Sequence, residues 1–351
     1  HVLTKKGRGY TPAEKHPENF HGIGAFDIAS GEAKSGSKAP TYTDIFSKKI
    51  VELAGRNKDI VAITAAMPEG CGLLEFRDKF PKRFFDVGIA EQHAITSAAG
   101  LAAAGLIPVV CIYSSFLQRG FDQIVHDVCL QNLHVVFAID RAGLVGADGE
   151  THQGIFDVSF LTCIPNMTLL APKNANELKA ALEFAIDFDG PIAIRYPRGV
   201  AYDSLNEFES KIEFGKGEML FEESNIALLA IGSMVSTAKN LREKLKSKGF
   251  NVSVANARFF KPIDFELVDK LCENHSLIVT MEEGVINGSM GEKIKAYIKD
   301  KNYDTDVLNI ALPDGYVEHG DVSLLRKKLE IDSDSVLKKV LDRYEKIKDE
   351  G

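Results

Sequence analysis

Ile107-Pro108-Val109-Val110-Cys111-Ile112 is a nearly continuous apolar run, which is typical of a β-strand that is buried on both faces. Further apolar runs alternate with helical stretches along the first part of the chain. The runs cover residues 60–64, 134–139, 167–170 and 192–194, and the helical stretches cover residues 45–53, 116–131 and 176–188. Because strands of this kind alternate with helices in doubly wound proteins, this part of the chain predicts an α/β unit with a parallel sheet.

A second series of apolar runs begins after a polar stretch around residues 201–216. Its predicted strands are 226–232, 252–254 and 277–280, and its predicted helices are 235–248, 265–274, 291–298 and 335–348. We therefore predict a second, smaller doubly wound α/β unit. The resulting domain boundaries are a linker or surface arm at 1–40, the first unit at 41–200, a linker at 201–220 and the second unit at 221–351.

The composition disfavours several classes of partner and of site. The 351 residues carry a formal net charge of −8, which disfavours binding to nucleic acid or to an anionic membrane surface. The five cysteines are widely spaced and include no Cys-x-x-Cys pair, so we expect free thiols in a reducing compartment. No apolar run reaches membrane-spanning length. Because the chain begins with His1 rather than Met, we expect it to be a fragment of a longer protein.

An acidic residue stands where a short apolar stretch passes into a helix rich in small residues. In Phe85-Asp86-Val87-Gly88-Ile89-Ala90-Glu91-Gln92-His93, the apolar stretch ends at Gly88 and the helix follows. Carboxylates are favoured at helix N-termini in any protein. Glu91 taken alone therefore has two interpretations of similar weight, a first-turn helix acid and a functional carboxylate.

Polar residues follow three of the predicted strands, and the carboxyl ends of parallel strands form the usual ligand-binding edge of such a sheet. Tyr113 follows one strand, Arg198 follows another, and the loop after a third carries Arg141, Asp148 and His152. Some have ordinary alternatives, because Asp148 precedes a glycine in a common turn pair, His152 could be structural and Arg198 could be solvated. Together, they place carboxylate, imidazole, phenol and guanidinium groups at one edge of one sheet.

Several of these segments resemble the 1-deoxy-D-xylulose-5-phosphate synthase family, thiamine-diphosphate enzymes of the transketolase superfamily. The segments are Asp86–His93, Tyr113–Arg119, Asp140–Gly154, Arg195–Gly199 and the opening stretch His1–Glu14. The resemblance covers essentially the whole chain. It implies a transketolase-like pyrimidine-binding domain with a parallel sheet, followed by a smaller transketolase C-terminal-like domain.

The resemblance also implies a reaction. Pyruvate would lose carbon dioxide and join D-glyceraldehyde 3-phosphate to give 1-deoxy-D-xylulose 5-phosphate. This reaction is the first step of non-mevalonate isoprenoid biosynthesis, and its product also serves thiamine and pyridoxal biosynthesis. The implied cofactors are thiamine diphosphate and Mg²⁺, and the implied assembly is a homodimer. The implied location is the cytoplasm of a bacterium, with a plastid as the alternative.

Three residues would contact the cofactor if the resemblance holds. Glu91 would hydrogen-bond the aminopyrimidine ring of thiamine and favour its imino tautomer. Ile89 would lie under the cofactor and support its bent conformation. Phe116 would stack on the pyrimidine, although a core residue at the start of a helix is the ordinary alternative.

The same resemblance assigns residues to the substrates. Arg141 and Arg198 would clamp the phosphate of the acceptor, a task for which the planar guanidinium fork is suited. Tyr113, Asp148 and His152 would orient the substrate and move protons. All five residues follow predicted strands at the same edge of the sheet.

Two further residues carry open interpretations. His1 resembles another active-site histidine of the family, but here it is the terminus of the chain. Arg119 either belongs to the site or holds its own helix by pairing with Asp122 or Asp127.

One motif of the family has no counterpart here. The chain contains nothing that resembles the Gly-Asp-Gly motif with a following Asn, which in the family holds magnesium and the cofactor diphosphate. That motif belongs to the family's N-terminal domain, so we expect no metal site in this chain and no activity from it alone.

Two alternative functions stay open: a β-type subunit of a split 2-oxoacid dehydrogenase or transketolase, and a non-catalytic dimerisation module. The arginine-bearing loops argue against the dehydrogenase, because a lipoamide acceptor needs no phosphate clamp.

Overall fold

The computed structural model describes residues 1–17, 19–20, 23–34 and 39–350. The chain forms two compact units, of which the first is His1–Pro40 and the second begins at Thr41. The first unit contains the short helix Thr11–Lys15 and an aromatic cluster with ring centroids 5.5 to 5.9 Å apart, formed by Tyr10, Phe20 and Phe26. The predicted arm therefore has a small apolar cluster, which its composition did not indicate.

The described residues of the second unit form twelve strands. In chain order they are β1 (Ile60–Thr64), β2 (Phe84–Asp86), β3 (Ile107–Tyr113), β4 (Val136–Asp140), β5 (Thr168–Leu170), β6 (Ile192–Arg195), β7 (Glu218–Phe221), β8 (Asn225–Ala230), β9 (Val252–Asn256), β10 (Phe259–Lys261), β11 (His275–Val285) and β12 (Asp306–Leu312). Every apolar run that predicted a strand corresponds to one of them.

The strands form two sheets. The first has the order β10-β5-β6-β4-β3-β1-β2, in which β1 to β6 are parallel and β10 pairs antiparallel with β5. The second has the order β12-β11-β8-β9-β7, in which only β7 is antiparallel to its neighbour. Both predicted α/β units are therefore present, with the correction that each sheet carries one antiparallel edge strand.

Helices connect most of the strands. The α-helices of the second unit are Tyr42–Arg56, Leu74–Lys79, Glu91–Ala103, Ser114–Leu117, Phe121–Gln123, Asp157–Thr162, Ala175–Ile186, Met234–Lys246, Phe265–Asn274, Met290–Asp300, Val322–Lys328 and Ser333–Glu350. Shorter turns are the 3-10 segments Pro81–Arg83, Gln118–Gly120, Gly146–Asp148 and Glu150–His152 and the π-helical segment Ile124–Cys129. Thr41 and Asp44 start the first long helix with a capping box, which satisfies backbone N–H groups that the helix itself leaves free.

Burial explains why continuous apolar runs mark these strands. Every residue of β1, β4 and β6 is buried, so both faces of the middle of the first sheet are covered. Removing apolar surface from water contributes about 25 cal/mol per Å², so burial of these strands stabilises the sheet from whose carboxyl ends the loops begin.

The predicted helix over residues 116–131 is not one regular helix. It divides into short α-helical, 3-10 and π-helical turns between Ser114 and Cys129. Gly120 shows why the segment is irregular: a Cβ atom there would lie 2.0 Å from Ile95 Cδ1, so the turn packs directly on the helix Glu91–Ala103. This close packing brings Arg119 beside the start of that helix.

Candidate active site

The carboxyl ends of three neighbouring strands form the base of the site. β3, β4 and β6 are adjacent in the sheet, and their register places Tyr113 beside Asp140 and Ile139 beside Arg195. The loops that follow these strands therefore begin next to one another. The order of strands and helices in the sequence predicts this arrangement.

Three rings lie together at this edge. The rings of Tyr113 and Phe116 are stacked with centroids 5.7 Å apart, and the His152 ring meets Phe116 edge-on at 5.1 Å. Burial raises the pKa of Tyr113 well above its usual range, so the phenol is a neutral hydrogen-bond donor at physiological pH. The guanidinium carbon of Arg141 lies 3.8 Å from the Tyr113 ring centroid, close enough for a cation–π contact.

Asp148 brings together arginines from two different strand ends. Its Oδ1 accepts a hydrogen bond from Arg198 Nη1 at 2.6 Å, and its Oδ2 lies 3.8 Å from Arg141 Nε. Each guanidinium group has five N–H donors, so one carboxylate uses only part of what the pair offers. The N–H at Arg141 Nε is buried and has no aligned hydrogen-bond acceptor among the residues that the structure describes. The pair could therefore take a further anion with several acceptor oxygens, such as a phosphate.

Arg141 is held in an unusual backbone conformation. Its φ of +59° lies in the left-handed region, which costs a non-glycine residue about 1–3 kcal/mol. Oδ1 of the neighbouring Asp140 accepts the Arg141 backbone N–H at 2.6 Å, and its Oδ2 accepts the Thr43 hydroxyl at 2.7 Å. Burial raises the pKa of Asp140 to about 6, although Arg141 and Thr43 favour the carboxylate.

Gly70 is a residue of this site that the sequence argument missed. Its carbonyl oxygen accepts a hydrogen bond from Arg141 Nη1 at 2.8 Å. A Cβ atom at this position would lie 1.6 Å from the Tyr113 hydroxyl oxygen, so no larger residue fits while Tyr113 keeps its place. The available signal was its position in the loop after β1, a fourth strand end on the same edge.

Glu91 is the first residue of the helix Glu91–Ala103 and is only 2% exposed. Arg119 Nη1 lies 2.6 Å from Glu91 Oε2, but the guanidinium N–H bonds are not aligned with the oxygen. Within the described part of the chain, Oε2 therefore receives no aligned hydrogen bond. A buried carboxyl oxygen without a donor is costly unless a ligand supplies one.

The structure overturns one interpretation of Arg119. Its partner is Glu91, and the two aspartates have other partners, His126 for Asp122 and Thr96 for Asp127. The interpretation in which Arg119 pairs with Asp122 or Asp127 is therefore wrong, while its place in the site stays a prediction. The reason is tertiary packing, because the 3-10 turn Gln118–Gly120 lies on the helix that Glu91 begins.

The remaining predicted residues differ in their setting. Ile89 is 76% exposed, two residues before Glu91, which leaves its side chain available to a ligand at the start of the helix. His1 is an exposed residue of the unit His1–Pro40, and its role stays a prediction.

A residue of the second sheet holds the loop that follows β4. Glu283, in β11, accepts the Leu144 backbone N–H at 3.2 Å, the Ser233 hydroxyl at 2.5 Å and Arg326 Nη2 at 2.7 Å. Burial opposes ionisation of this carboxyl, yet the Arg326 guanidinium and the hydrogen-bond donors outweigh it and lower its pKa. Gln153 adds a second tie, since it accepts the Val145 N–H and donates to the Glu318 carbonyl.

Two family models match this chain and together span most of it. Residues 38–202 match the pyrimidine-binding domain of transketolase, and residues 215–336 match the transketolase C-terminal domain. The chain belongs to the transketolase family. The first matched region contains strands β1 to β6 of the first sheet, and the second contains all five strands of the second sheet. The edge strand β10 belongs to the first sheet but lies within the second matched region.

Two curated relatives of this transketolase-family chain carry the same enzyme name. It is 53% identical to the 1-deoxy-D-xylulose-5-phosphate synthase of Lachnoclostridium phytofermentans, over 97% of this chain and 55% of that protein. It is 49% identical to the enzyme of the same name from Caldanaerobacter subterraneus, over 99% of this chain and 56% of that protein. The chain thus spans about half the length of the curated relatives that it matches.

A solved structure of the same family has a comparable extent. It is described as a split-gene transketolase in an inactive β4 tetramer, and it superposes on this chain with a TM-score of 0.77 and 28% identity. The match covers 87% of this chain and 98% of that one. A family member with this architecture therefore exists as a separate polypeptide.

Among the residues that the structure describes, no group of three or more His, Cys, Asp or Glu side chains could hold a metal ion. In the same residues, none of the helices has the length and apolar character needed to cross a membrane.

Proposed function

We propose that this chain forms the pyrimidine-binding and C-terminal parts of a 1-deoxy-D-xylulose-5-phosphate synthase. The reaction joins pyruvate to D-glyceraldehyde 3-phosphate, releases carbon dioxide and gives 1-deoxy-D-xylulose 5-phosphate. The observation that carries the proposal is the meeting of Arg141 and Arg198 at Asp148, beside Tyr113 and His152. About 50% identity to enzymes of that name along nearly the whole chain supports it.

Thiamine diphosphate, when bound, supplies the electron sink that allows a 2-oxo acid to lose carbon dioxide. Glu91 would receive a hydrogen bond from the aminopyrimidine at Oε2, the buried oxygen that has no aligned donor among the described residues. The exposed side chain of Ile89 would support the cofactor, and the Phe116 ring would stack on it. Arg119 would hold the Glu91 carboxyl in place through their 2.6 Å ion pair.

Arg141 and Arg198 would bind the phosphate of the acceptor. Their guanidinium groups lie beside one carboxylate that uses only part of their N–H donors, so a phosphate would bind to the donors that Asp148 leaves free. Tyr113, as a neutral phenol, would donate a hydrogen bond to a substrate oxygen, and Asp148 and His152 would orient the substrate and move protons.

The groups that hold the cofactor diphosphate and Mg²⁺ would come from outside this chain. The greater length of the relatives, of which this chain covers about half, supports this. We accordingly expect the chain alone to bind thiamine diphosphate weakly and to show no turnover. Isothermal titration that showed tight, Mg²⁺-dependent binding by this polypeptide alone would contradict the expectation.

The assembly and the domain division are part of the same proposal. The functional form would be a homodimer, and the domains would be 41–200 and 221–351 with a linker at 201–220. The exposed apolar side chains of Phe85 and Ile89 beside the Glu91 junction support a face that is covered in the complete assembly. The bacterial relatives support a location in the cytoplasm.

The experiment is a comparison of acceptors. The chain is combined with the part of the Lachnoclostridium relative that lies outside the match, and with thiamine diphosphate, Mg²⁺ and pyruvate. D-glyceraldehyde 3-phosphate, D-glyceraldehyde and lipoamide are then offered separately, and the products are identified by mass spectrometry. The proposal expects efficient product formation with the phosphorylated aldehyde. Transfer to lipoamide instead would indicate a split 2-oxoacid dehydrogenase, and no turnover with any acceptor would indicate a non-catalytic module.

A further inference from the structure

Asp140 is a buried acid that the proposed chemistry does not use. Its side chain is fully buried, so it cannot reach a substrate from its present position. It nevertheless lies directly under Arg141, one of the two arginines of the proposed phosphate clamp. This combination makes Asp140 a candidate for a positioning role rather than a catalytic one.

The hydrogen bonds of Asp140 connect three parts of the site. Oδ1 accepts the Arg141 backbone N–H at 2.6 Å and lies 3.2 Å from Arg141 Nη1, so one oxygen restrains both ends of that residue. Oδ2 accepts the Thr43 hydroxyl at 2.7 Å, which ties the carboxyl to the helix Tyr42–Arg56. Aspartate side chains commonly stabilise turns by accepting nearby backbone N–H groups.

The turn at Arg141 needs such a restraint. Its φ of +59° is unfavourable for an arginine, and a residue in this region persists only when its surroundings impose it. The neighbouring Ala142 N–H is also fixed, by the carbonyl of Tyr196. The result is a guanidinium group that lies over the Tyr113 ring, with Nη1 on the Gly70 carbonyl and Nε facing Asp148.

We infer that Asp140 is a positioning residue for phosphate recognition, because it imposes the turn that directs Arg141 toward Asp148 and Arg198. The inference rests on the proposed function only in taking Arg141 and Arg198 as an anion clamp. Asp140 sets the affinity for the phosphate group without touching it.

The test measures binding of sn-glycerol 3-phosphate, an unreactive phosphate ester, to the full 351-residue chain by isothermal titration, with glycerol as the blank. Asp140→Asn keeps the shape of the side chain but removes its charge, and we expect about tenfold weaker binding, as for loss of one charge-assisted hydrogen bond. Thr43→Val is a milder variant that removes only the donor to Oδ2, and we expect about threefold weaker binding.

A matched control separates this effect from general destabilisation. Asp157 is equally buried and pairs with Arg195 at 2.9 Å, so Asp157→Asn also weakens a buried ion pair of the same sheet. We expect this variant to lose stability in urea but to bind glycerol 3-phosphate as the parent does. Equal loss of binding in Asp140→Asn and Asp157→Asn would overturn the inference.

A double-mutant cycle tests whether Asp140 acts through Arg141. Adding Asp140→Asn to Arg141→Gln should change the affinity by less than about twofold, whereas adding it to Arg198→Gln should still weaken binding about tenfold. Equal effects in both backgrounds would overturn the inference while leaving the clamp intact. A parent chain that binds no glycerol 3-phosphate would instead overturn the clamp, and the inference with it.

Discussion

Replacement of Gly70 by alanine should disable the site although the added group is a single methyl. The new Cβ would lie 1.6 Å from the Tyr113 hydroxyl oxygen and 2.8 Å from its Cζ. Non-bonded heavy atoms settle at about 3.5–4.0 Å, so the phenol must move by roughly 2 Å. Arg141 would follow, because it packs on the Tyr113 ring and donates to the Gly70 carbonyl.

The expected size of the effect follows from that displacement. A misplacement of about 1 Å among positioning groups can cost on the order of 100-fold in rate, so kcat/KM for the phosphorylated acceptor should fall about 100-fold in Gly70→Ala. Overpacking of this kind should also lower the free energy of unfolding by about 1–3 kcal/mol. Steady-state kinetics of the combined enzyme and urea unfolding of the chain give the two numbers.

The matched control is Gly55→Ala. Gly55 lies in the helix Tyr42–Arg56, and a Cβ atom there meets no described atom within 4 Å. This variant should gain about 0.5–1 kcal/mol of stability and keep the parent's kinetics. If Gly70→Ala kept kcat/KM within threefold of the parent, the reasoning that links Gly70, Tyr113 and Arg141 would be refuted.

Two further predictions concern buried acids of β11. Burial raises the pKa of Glu282 to about 7, so the folded state holds its proton more tightly than the unfolded state and stability falls as pH rises from about 4.5 to about 7. Glu282→Gln should reduce the loss of unfolding free energy between pH 5 and 7.5 by about 2–3 kcal/mol, and identical pH profiles from urea unfolding would contradict this. Glu283→Ala should cost about 2–4 kcal/mol, because it strands the partly buried Arg326 and frees the Leu144 loop. Glu318→Ala is its control, since that side chain forms an exposed pair with Lys328 and should cost less than about 1 kcal/mol; equal losses would argue against a special role for Glu283.

The sequence predicts the parallel core because the strands that form it are buried on both faces. The runs at β1, β3, β4 and β8 stand out from polar loops for that reason. The edge strands β10 and β12 do not stand out from polar loops in this way. β10 has only three residues, and β12 includes the polar residues Asp306 and Asn309. Short or partly polar edge strands are defined by their neighbours in space, and the neighbour of β10 lies in the other half of the sequence.

The sequence likewise predicts the strand-end cluster but not the contacts within it. Tyr113, Arg141 and Asp148 meet because parallel strands end at one edge, which the order of the elements indicates. The pairing of Arg119 with Glu91 depends on how a 3-10 turn packs on a helix, whereas local spacing suggested only Asp122 or Asp127 as partners. Glu283 reaches the site from the second sheet, across 139 positions of sequence, and no local pattern marks it.

Turnover of labelled pyruvate by the combined enzyme, with Glu91 intact and with Glu91→Gln, tests the proposed function and the role of Glu91 together. Formation of 1-deoxy-D-xylulose 5-phosphate from [2-¹³C]pyruvate and D-glyceraldehyde 3-phosphate is followed by NMR. We expect product from the parent and a rate at least about 100-fold lower from Glu91→Gln, with D-glyceraldehyde a much poorer acceptor than its phosphate. No product from the parent, or an unchanged rate in Glu91→Gln, would contradict the proposed function.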